Sequence, residues 1–494
     1  MDNSKQILKT YKSLVNSSTS NLKSLKKNPV KNTKENFRPN CLSVEDVYFG
    51  DSGKGSIVAK FNEIMGKKNK KIFSLRYNGG GNAGHECLID GKMVTTHQLP
   101  MGIVKENCTA IVSRGMLIHP EDLLTELNMV KQTLGGIPGE LLIDDRVSLG
   151  LDTHRALESA LNFKTTGGRG STGRGIATGY AAHYLRIPVT LKDLLASDWK
   201  ERFKAHYQLF KTLVEGFGKD FELSKLDVAS YGKEKGLKRK VGSEKEFLER
   251  LESVRLKMRK MSTDSMYYIL RDAWNNSSTP ITLEGAQGAG IDPYHGVYPD
   301  VTASRPMSRN INDSTYNIVL PENIPLRVAV MKTTYMSSVG RRVLPTIKDA
   351  KTEKWIQEAF DEKGRSTGRL RDIYPISIPI AHYLRVAAGY THIAATHVDA
   401  SKMDVPIKVV THYTHKKTGE ETPYLPYQDH LDKLVANVVE FEGWDGEKVK
   451  SVKTPGRLPK PAKDYLSFLS ETIAPIAIAT TGPGLDDYIP WFTE

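Results

Sequence analysis

The chain of 494 residues is long enough for two to four domains, and its formal net charge is +13. Hydrophobic residues make up 39% of it and no run of about 18 apolar residues occurs, so we expect no membrane-spanning helix. Its three cysteines are scattered, and its first residues lack the apolar core of a secretory signal. We therefore expect a cytoplasmic protein with neither a disulfide framework nor a zinc site.

The positive charge is concentrated in two segments. Residues 1–40 contain nine Lys and Arg against two Asp and Glu, and residues 225–260 contain twelve against six. Because residues 1–40 are also rich in Lys, Ser and Asn, they predict a flexible basic extension before one large domain over 41–494. The sequence pI near 9.2 suggests nucleic-acid binding as an alternative. That function needs aromatic residues among the basic ones, and the extension offers only Tyr11 and Phe37.

The segment Tyr48–Val58 predicts the end of a strand, a glycine-rich turn and the first turns of a helix. Its glycines let backbone N–H groups surround an anion, and Lys54 adds a point charge for a phosphate. A carboxylate at Asp51 would repel that phosphate unless a metal or a proton lies between them, so the turn suits chemistry as well as binding. Gly55 follows the lysine, which departs from the Walker pattern, and a plain structural turn remains an alternative.

A second glycine loop follows the next predicted strand, Lys71–Tyr77. The loop Asn78–His85 has the glycine density of a backbone that wraps closely around a ligand. His85 stands at its tip with few packing partners, which favours a functional role over a structural one. Beyond it, residues 120–165 predict helices and a short strand, Glu140–Asp144.

Residues 196–262 predict a charged helical insertion. Ser243 and Glu246 have the spacing of a capping box, which marks a helix N-terminus. The apolar stripe that follows consists of Phe247, Leu251, Val254 and Met258. The lysines of this segment fit a solvated face better than a binding surface.

The remaining loops combine glycines with arginines or carboxylates. Gly167–Gly175 and Gly364–Arg371 carry arginines and hydroxyl residues, which suit phosphate or carboxylate ligands. The predicted strands of this part of the chain are Ile281–Leu283, Leu326–Met331, Thr391–Ala395 and Ile476–Ala479. Strands that end in ligand loops, with helices between them, predict an α/β fold. We expect a P-loop-like, mainly parallel sheet flanked by helices, with helical and loop insertions and a site at the carboxyl ends of the strands.

In this order the motifs resemble those of the adenylosuccinate synthetase family. They are Gly-Asp-x-Gly-Lys-Gly, Asn-Ala-Gly-His, Thr-Gly-Arg-Gly, Glu-Gly-Ala-Gln-Gly, His-Gly-x-Tyr-Pro-x-Val-Thr, Thr-Gly-Arg-x-Arg, Thr-x-x-Asp and a late Gly-Pro. They extend from Gly50 to Pro483 and so cover nearly all of the chain beyond residue 40. The resemblance implies a purine nucleotide C–N ligase of AMP biosynthesis. It would condense IMP with L-aspartate, driven by GTP and Mg²⁺, and form adenylosuccinate through a 6-phosphoryl intermediate.

The resemblance also implies roles for individual residues. Asp51 would be the general base and a Mg²⁺ ligand, His85 the general acid and phosphate partner, and Gly84 a carbonyl ligand of the metal. The donor nucleotide would be bound by Ser52, Gly53, Lys54, Gly55, His397, Asp399, Thr481 and Gly482. The monophosphate would be bound by Asn82, Thr172, Arg186, Gln287, Thr302 and Arg369. L-Aspartate would be bound by Ser366, Thr367, Arg369 and Arg371. The family's homodimer would supply Arg186 from the second subunit.

The chain departs from the family's motifs at several positions. Ser52 replaces a Glu, His397 replaces a Lys, Gly81 replaces a His, and Ala289 stands where Thr is usual. Phage enzymes of this fold make 2-aminoadenylosuccinate from GMP or dGMP, and ATP as donor belongs to this alternative. The small residues at 81 and 289 would leave room for the 2-amino group. A P-loop GTPase or kinase is a more remote alternative, because it gives no use to the two arginine loops.

Overall fold

A ten-stranded sheet organises the chain. The computed structural model describes residues 40–165, 171–227, 236–276, 278–338, 340, 342–347, 349–363 and 370–491. Along the chain the strands of the main sheet are Cys41–Asp46 (β1), Ile72–Arg76 (β2), Cys108–Val112 (β3), Glu140–Asp144 (β4), Ser262–Thr263 (β5), Ile281–Glu284 (β6), Leu326–Lys332 (β7), His392–Thr396 (β8), Ile476–Thr480 (β9) and Tyr488–Pro490 (β10). Their spatial order is β5-β4-β3-β2-β6-β1-β7-β8-β9-β10, and every neighbouring pair is parallel except β9 and β10.

Helices connect these strands, as the crossovers of a parallel sheet require. The helices of the described residues are Lys54–Gly66 (α1), Pro120–Leu134 (α2), Asp152–Thr165 (α3), Ile176–Tyr184 (α4), Leu191–Leu195 (α5), Trp199–Gly216 (α6), Glu244–Met261 (α7), Met266–Asn275 (α8), Asn310–Ser314 (α9), Ala350–Ala359 (α10), Ile378–Ala388 (α11), Gln428–Leu431 (α12), Gly446–Val449 (α13) and Lys460–Thr472 (α14).

Several small sheets lie outside the main one. The paired strands are His85–Ile89 with Lys92–Thr96, Leu117–Ile118 with Ser148–Leu149, Lys225–Asp227 with Lys238–Lys240, and Met336–Ser338 with Asp372–Tyr374. A further sheet contains Ile376–Ser377, Ile407–His415, Glu421–Thr422 and Leu434–Phe441. The sequence analysis predicted none of these strands, because short or edge strands lack the apolar run that marks a buried one.

The central strands are buried because both faces of a parallel sheet are covered. All residues of β1, β2 and β6 are buried, and Val44, Leu283 and Val330 are fully inaccessible. Helix α1 contributes Ile57 and Val58 to the same core. The predicted α/β fold with a mainly parallel sheet flanked by helices is confirmed, and each apolar run predicted as a strand forms one.

The segment 196–262 is partly as predicted. The capping box of α7 is present: Ser243 Oγ accepts from Glu246 N, and the Glu246 side chain accepts from Ser243 N. The predicted apolar stripe is buried, and Phe247 packs against Tyr207 of α6 with ring centroids 5.5 Å apart. The prediction that this segment is wholly helical was wrong, because an antiparallel strand pair lies between α6 and α7.

Two predictions about chain organisation stay predictions. The flexible extension over residues 1–40 lies, apart from Asn40, outside the described residues, and so the domain boundary at residue 40 is untested.

Within the described ranges, no helix combines the length and the apolar character needed to cross a bilayer.

Candidate active site

The predicted site residues lie in loops that follow neighbouring parallel strands. The loops after β1, β2, β6, β8 and β9 all leave the same carboxyl edge of the sheet. In open α/β sheets this edge is where ligands bind. Asp51, Asn82, Gln287, Asp399 and Thr481 each stand in one of these loops, so the topology brings together residues that are up to 430 positions apart in the chain.

The glycine turn is organised around a carboxylate that sequence analysis did not single out. Strand β1 ends at Asp46, earlier than predicted, and its Oδ1 accepts from the N–H groups of Tyr48 (3.1 Å) and Gly50 (3.2 Å). Oδ2 accepts from Ser52 N at 3.2 Å and pairs with Lys54 Nζ at 3.1 Å. The Lys54 ammonium is therefore held by the Asp46 carboxylate at the end of strand β1. An Asp at a strand end is ordinary in a sequence, so only the fold reveals this role.

The backbone of the turn is left-handed where the predicted catalytic carboxylate stands. Gly50 and Gly53 have φ of 93° and 90°, and Asp51 has φ of 60°, a value that few residues other than glycine adopt without strain. The first intrahelical hydrogen bond of α1 runs from Ile57 N to Gly53 O at 3.2 Å. The N–H groups of Lys54, Gly55 and Ser56, which precede this bond and have no partner among the described residues, are thus the donors that a helix N-terminus presents to an anion.

His85 is fixed by a carboxylate from another strand. Its Nδ1 lies 2.5 Å from Glu284 Oε1, and Glu284 Oε2 accepts from Met101 N at 2.8 Å. Burial, the largest cause, lowers the pKa of His85 to about 4. Nε2 is buried and has no hydrogen-bond partner among the described residues, so it is the atom available to a ligand. Glu284 belongs to the quoted Glu-Gly-Ala-Gln-Gly motif, yet the sequence did not indicate this pairing.

The glycine loops pack backbone against backbone at two positions. A Cβ on Gly55 would lie 2.6 Å from His85 Cβ, closer than real Cβ contacts. A Cβ on Gly288 would lie 2.4 Å from Gly50 N. Only glycine permits these approaches, so the helix N-terminus, the His85 loop and the loop after β6 meet at one place.

Two of the predicted monophosphate residues carry buried polar atoms without partners among the described residues. These atoms are Asn82 Oδ1 and Gln287 Nε2. Gln287 Oε1 accepts from Ser304 Oγ at 2.6 Å, and that hydroxyl lies 3.2 Å from Thr302 Oγ1. Because a buried polar atom without a partner is costly, these groups are suited to a polar ligand.

Among the described residues, no hydrogen bond or ion pair joins Thr172 or Arg186, two further predicted monophosphate residues, to this group. Thr172 is half-buried and Arg186 is exposed. Arg186 has a left-handed φ of 63° and follows two exposed apolar residues, Tyr184 (71%) and Leu185 (67%). Arg369, Ser366 and Thr367 lie outside the described residues.

Arg371, which is predicted to bind L-aspartate, contacts Asp51, the predicted general base. Its guanidinium forms an ion pair with the Asp51 carboxylate and a second one with Glu362 at 3.1 Å. Glu362 also pairs with Lys332 and accepts from Tyr335 Oη at 2.6 Å. The Arg371 side chain is only 7% exposed, and burial lowers its pKa to about 10. Glu362 is thus a positioning residue for Arg371 that sequence analysis missed.

The residues predicted to bind the donor nucleotide at this end of the sheet follow strands β8 and β9. Thr396 Oγ1 donates to Ser52 O at 2.8 Å, which joins β8 to the glycine turn, and Val398 N donates to Thr480 O at 3.0 Å. Burial lowers the pKa of His397 to about 4 and raises the pKa of Asp399 to about 6. Thr481 N donates to Asp487 O at 3.1 Å, and Gly482 lies in the same loop.

One group of described residues has the spacing of metal ligands, namely His119, Glu121 and Asp152. Arg239 pairs with both carboxylates, and Asp152 also lies 3.5 Å from the guanidinium of Arg155. The oxygens are therefore already matched by cations, and the group is a buried ion-pair network. Asp51 and the Gly84 carbonyl offer hard oxygen ligands of the kind that Mg²⁺ prefers.

The sequence profile of the adenylosuccinate synthetase family matches residues 44–489. The chain belongs to the adenylosuccinate synthetase family. The predicted resemblance is therefore confirmed. The chain is a C–N ligase of purine biosynthesis, and its activity is the condensation of IMP with L-aspartate at the expense of GTP.

Individual relatives agree with this assignment. The adenylosuccinate synthetase of Chlorobium luteolum is 29% identical over 451 residues, which cover 89% of this chain and 95% of that protein. The Neurospora crassa adenylosuccinate synthetase is 29% identical over 449 residues, covering 89% and 96%. The match thus spans almost the full length of both relatives.

Solved structures share the fold. Fully ligated adenylosuccinate synthetase from Plasmodium falciparum superposes with a TM-score of 0.78 at 23% identity, covering 91% of this chain and 99% of that one. Cyanophage S-2L succinoaminodeoxyadenylate synthetase, bound to dGMP and dATP, gives a TM-score of 0.53 at 16% identity, covering 92% and 96%.

Proposed function

We propose that the carboxyl edge of the sheet carries out the synthetase reaction with Asp51 as general base and His85 as general acid and phosphate partner. Asp51 takes the N1 proton of the 6-oxopurine, and O6 then attacks the γ-phosphorus of the donor, so that the donor leaves as a diphosphate. The amine of L-aspartate displaces phosphate from C6 and forms the C–N bond. The observation that carries this proposal is that His85, which approaches Gly55 at the helix N-terminus too closely for a Cβ there, has a buried Nε2 without a hydrogen-bond partner in the described part of the chain.

The proton of His85 depends on the bound phosphoryl group. With a pKa of about 4, the ring is neutral at pH 7, and Nδ1–H donates to Glu284. Phosphoryl oxygens would add a second negative charge beside the ring and raise the pKa, because opposite charges favour the protonated form. The imidazolium formed would then donate from Nε2 to the phosphoryl oxygen.

Binding of L-aspartate would free the proposed general base, Asp51, from its ion pair with Arg371. Arg371 pairs with Asp51, and a carboxylate paired with an arginine is a weak proton acceptor. The carboxylates of L-aspartate would compete for Arg371 and leave Asp51 free to accept the N1 proton. Mg²⁺ would be held by Asp51 and the Gly84 carbonyl, where it supplies charge neutralisation of the triphosphate.

A substrate matrix tests the function and the choice of nucleotides. We expect turnover with IMP, L-aspartate and GTP, and slower turnover with ATP. The Asp399 carboxylate would accept two hydrogen bonds from guanine N1–H and its 2-amino group, which adenine lacks. Absorbance of the product, measured for IMP, GMP and dGMP against GTP and ATP, checks both choices. Faster reaction with ATP would remove Asp399 from guanine recognition.

GMP and dGMP are second candidates for the acceptor nucleotide in the same substrate matrix. A Cβ on Gly81 would have only Gln98 Cγ near it, at 3.9 Å, so space is open beside the Asn-Ala-Gly-His loop. That space favours GMP or dGMP as additional acceptors, because a 2-amino group would be accommodated there. Turnover with IMP alone would exclude this extension.

The active unit is proposed to be a cytoplasmic homodimer in which Arg186 binds the monophosphate of the second subunit. Tyr184 and Leu185, exposed beside Arg186, give this surface apolar area that a contact with a second subunit would cover. Mixed Asp51→Ala and Arg186→Ala subunits should recover part of the activity, because some sites contain neither substitution. If hybrids form, as shown by differently tagged subunits, and no activity returns, the arginine acts within its own subunit.

A further inference from the structure

The side chain of a fully buried lysine lies between helix α1 and the loop after β9. Lys60, in the second turn of α1, has 0% exposure, which is rare for a lysine. Its Nζ donates to Ser56 Oγ at 2.7 Å and to Gly484 O at 2.5 Å. The ammonium is therefore hydrogen-bonded to two segments that are more than 400 residues apart in the chain.

Both segments belong to the proposed donor site. Ser56 is in the first turn of α1, next to the N–H groups proposed to bind the triphosphate. Gly484 closes the loop that contains Thr481 and Gly482, and its N–H donates to Asp487 Oδ2 at 2.8 Å. The same loop is tied to the strand that begins at His85, because Leu88 N donates to Pro483 O at 3.2 Å.

We propose that Lys60 is a positioning residue for the donor nucleotide: its ammonium sets the separation between the triphosphate-binding N-terminus of α1 and the base-binding loop Thr481–Gly484. This inference rests on the proposed assignment of the donor site. A nucleotide that binds both segments at once needs this separation to be correct before it binds, since ordering two loops on binding weakens affinity. Loss of the lysine should therefore raise the KM for the donor and spare the KM values of the other substrates.

The charge on Lys60 adds a pH dependence to this role. Burial, the largest cause, lowers the pKa of Lys60 to about 8. The charged and titratable groups facing it are Cys87 from the His85 strand, Asp486 and Asp487 from the last loop, and Lys453 from the segment after α13. Below pH 8 the ammonium forms charge-assisted hydrogen bonds, whereas the neutral amine formed above pH 8 is a weaker donor. The KM for GTP of the unmodified protein should consequently rise between pH 7 and pH 9.

Lys60→Met keeps the length and the apolar stem of the side chain but removes its charge and donors. We expect the KM for GTP to rise about ten-fold at pH 7, as loss of a charged hydrogen bond implies, and to become independent of pH up to 9. The KM values for IMP and L-aspartate should change less than two-fold. Lys68→Met, at an exposed position just beyond the same helix, is the matched control and should behave as wild type.

The outcomes separate this inference from the proposed donor site. Equal rises in all three KM values, or an unchanged KM for GTP in Lys60→Met, would overturn the positioning role. A pH-independent KM for GTP in the unmodified protein would overturn it without any variant. Lys54→Met, assayed in parallel for GTP binding by calorimetry, tests the site: wild-type binding there would contradict the proposed donor site. If Lys54→Met lost GTP binding while Lys60→Met kept the wild-type KM for GTP, the positioning role of Lys60 would be overturned and the proposed donor site would be supported.

Discussion

Replacing Asp51 with asparagine will lower kcat by about 10²–10⁴-fold while the protein remains folded. Asparagine keeps the size of the side chain and tolerates the left-handed backbone that φ of 60° requires, so the turn should keep its shape. The variant cannot take the N1 proton, and it also loses the ion pair with Arg371. Steady-state kcat with saturating IMP, GTP and L-aspartate, together with the thermal unfolding midpoint, checks this result.

The chain offers a matched control for this substitution. Asp90 is exposed and also has a left-handed φ, of 48°, in the turn between the strands His85–Ile89 and Lys92–Thr96. Asp90→Asn makes the same chemical change in a similar backbone conformation, and it should leave kcat unchanged. If Asp51→Asn turned over like wild type, the base would have to be another group, and the contact with Arg371 would be structural only.

Glu284→Gln should lower kcat by about 10²-fold or more, approaching the about 10²–10⁴-fold loss expected for His85→Asn. The amide cannot stabilise an imidazolium, and its NH₂ group can meet Nδ1 as a donor, which favours the wrong tautomer. The Glu284 charge raises the pKa of His85 against the larger effect of burial. Without it, the pKa falls further, so protonated His85 is lost at a lower pH and the activity of the variant should decline at a lower pH than that of wild type.

The measurement is a pH–rate profile of both single variants and the double variant. If Glu284 acts through His85, the double variant should be no slower than His85→Asn alone, because residues that act as a unit are not additive. Glu86→Gln, at the residue next to His85, is the control and should leave the profile unchanged. Additive losses, or a Glu284→Gln profile parallel to wild type, would show that Glu284 only supports the fold through its bond to Met101 N.

The sequence by itself determined the family and most of the strands of the main sheet. Strands such as Ile281–Glu284 and Leu326–Lys332 are mostly apolar because both faces of a parallel sheet are covered, so their position could be predicted from local composition. The capping box of α7 is also a local signal. Motif order was sufficient for the family, since each motif is a short run of neighbouring residues whose chemistry can be recognised without coordinates.

Only the tertiary structure decided how the charged residues are paired. Asp46 beneath the glycine turn, Glu284 against His85, Glu362 behind Arg371 and Lys60 beneath Gly484 are ordinary residues in the sequence. Glu284 and His85 are 199 positions apart, and Lys60 and Gly484 are 424 apart. Side-chain pairing across such separations depends on strand order in the sheet, which local periodicity does not encode. Burial then lowers the pKa values of His85, Arg371 and Lys60, and burial exists only in the folded chain.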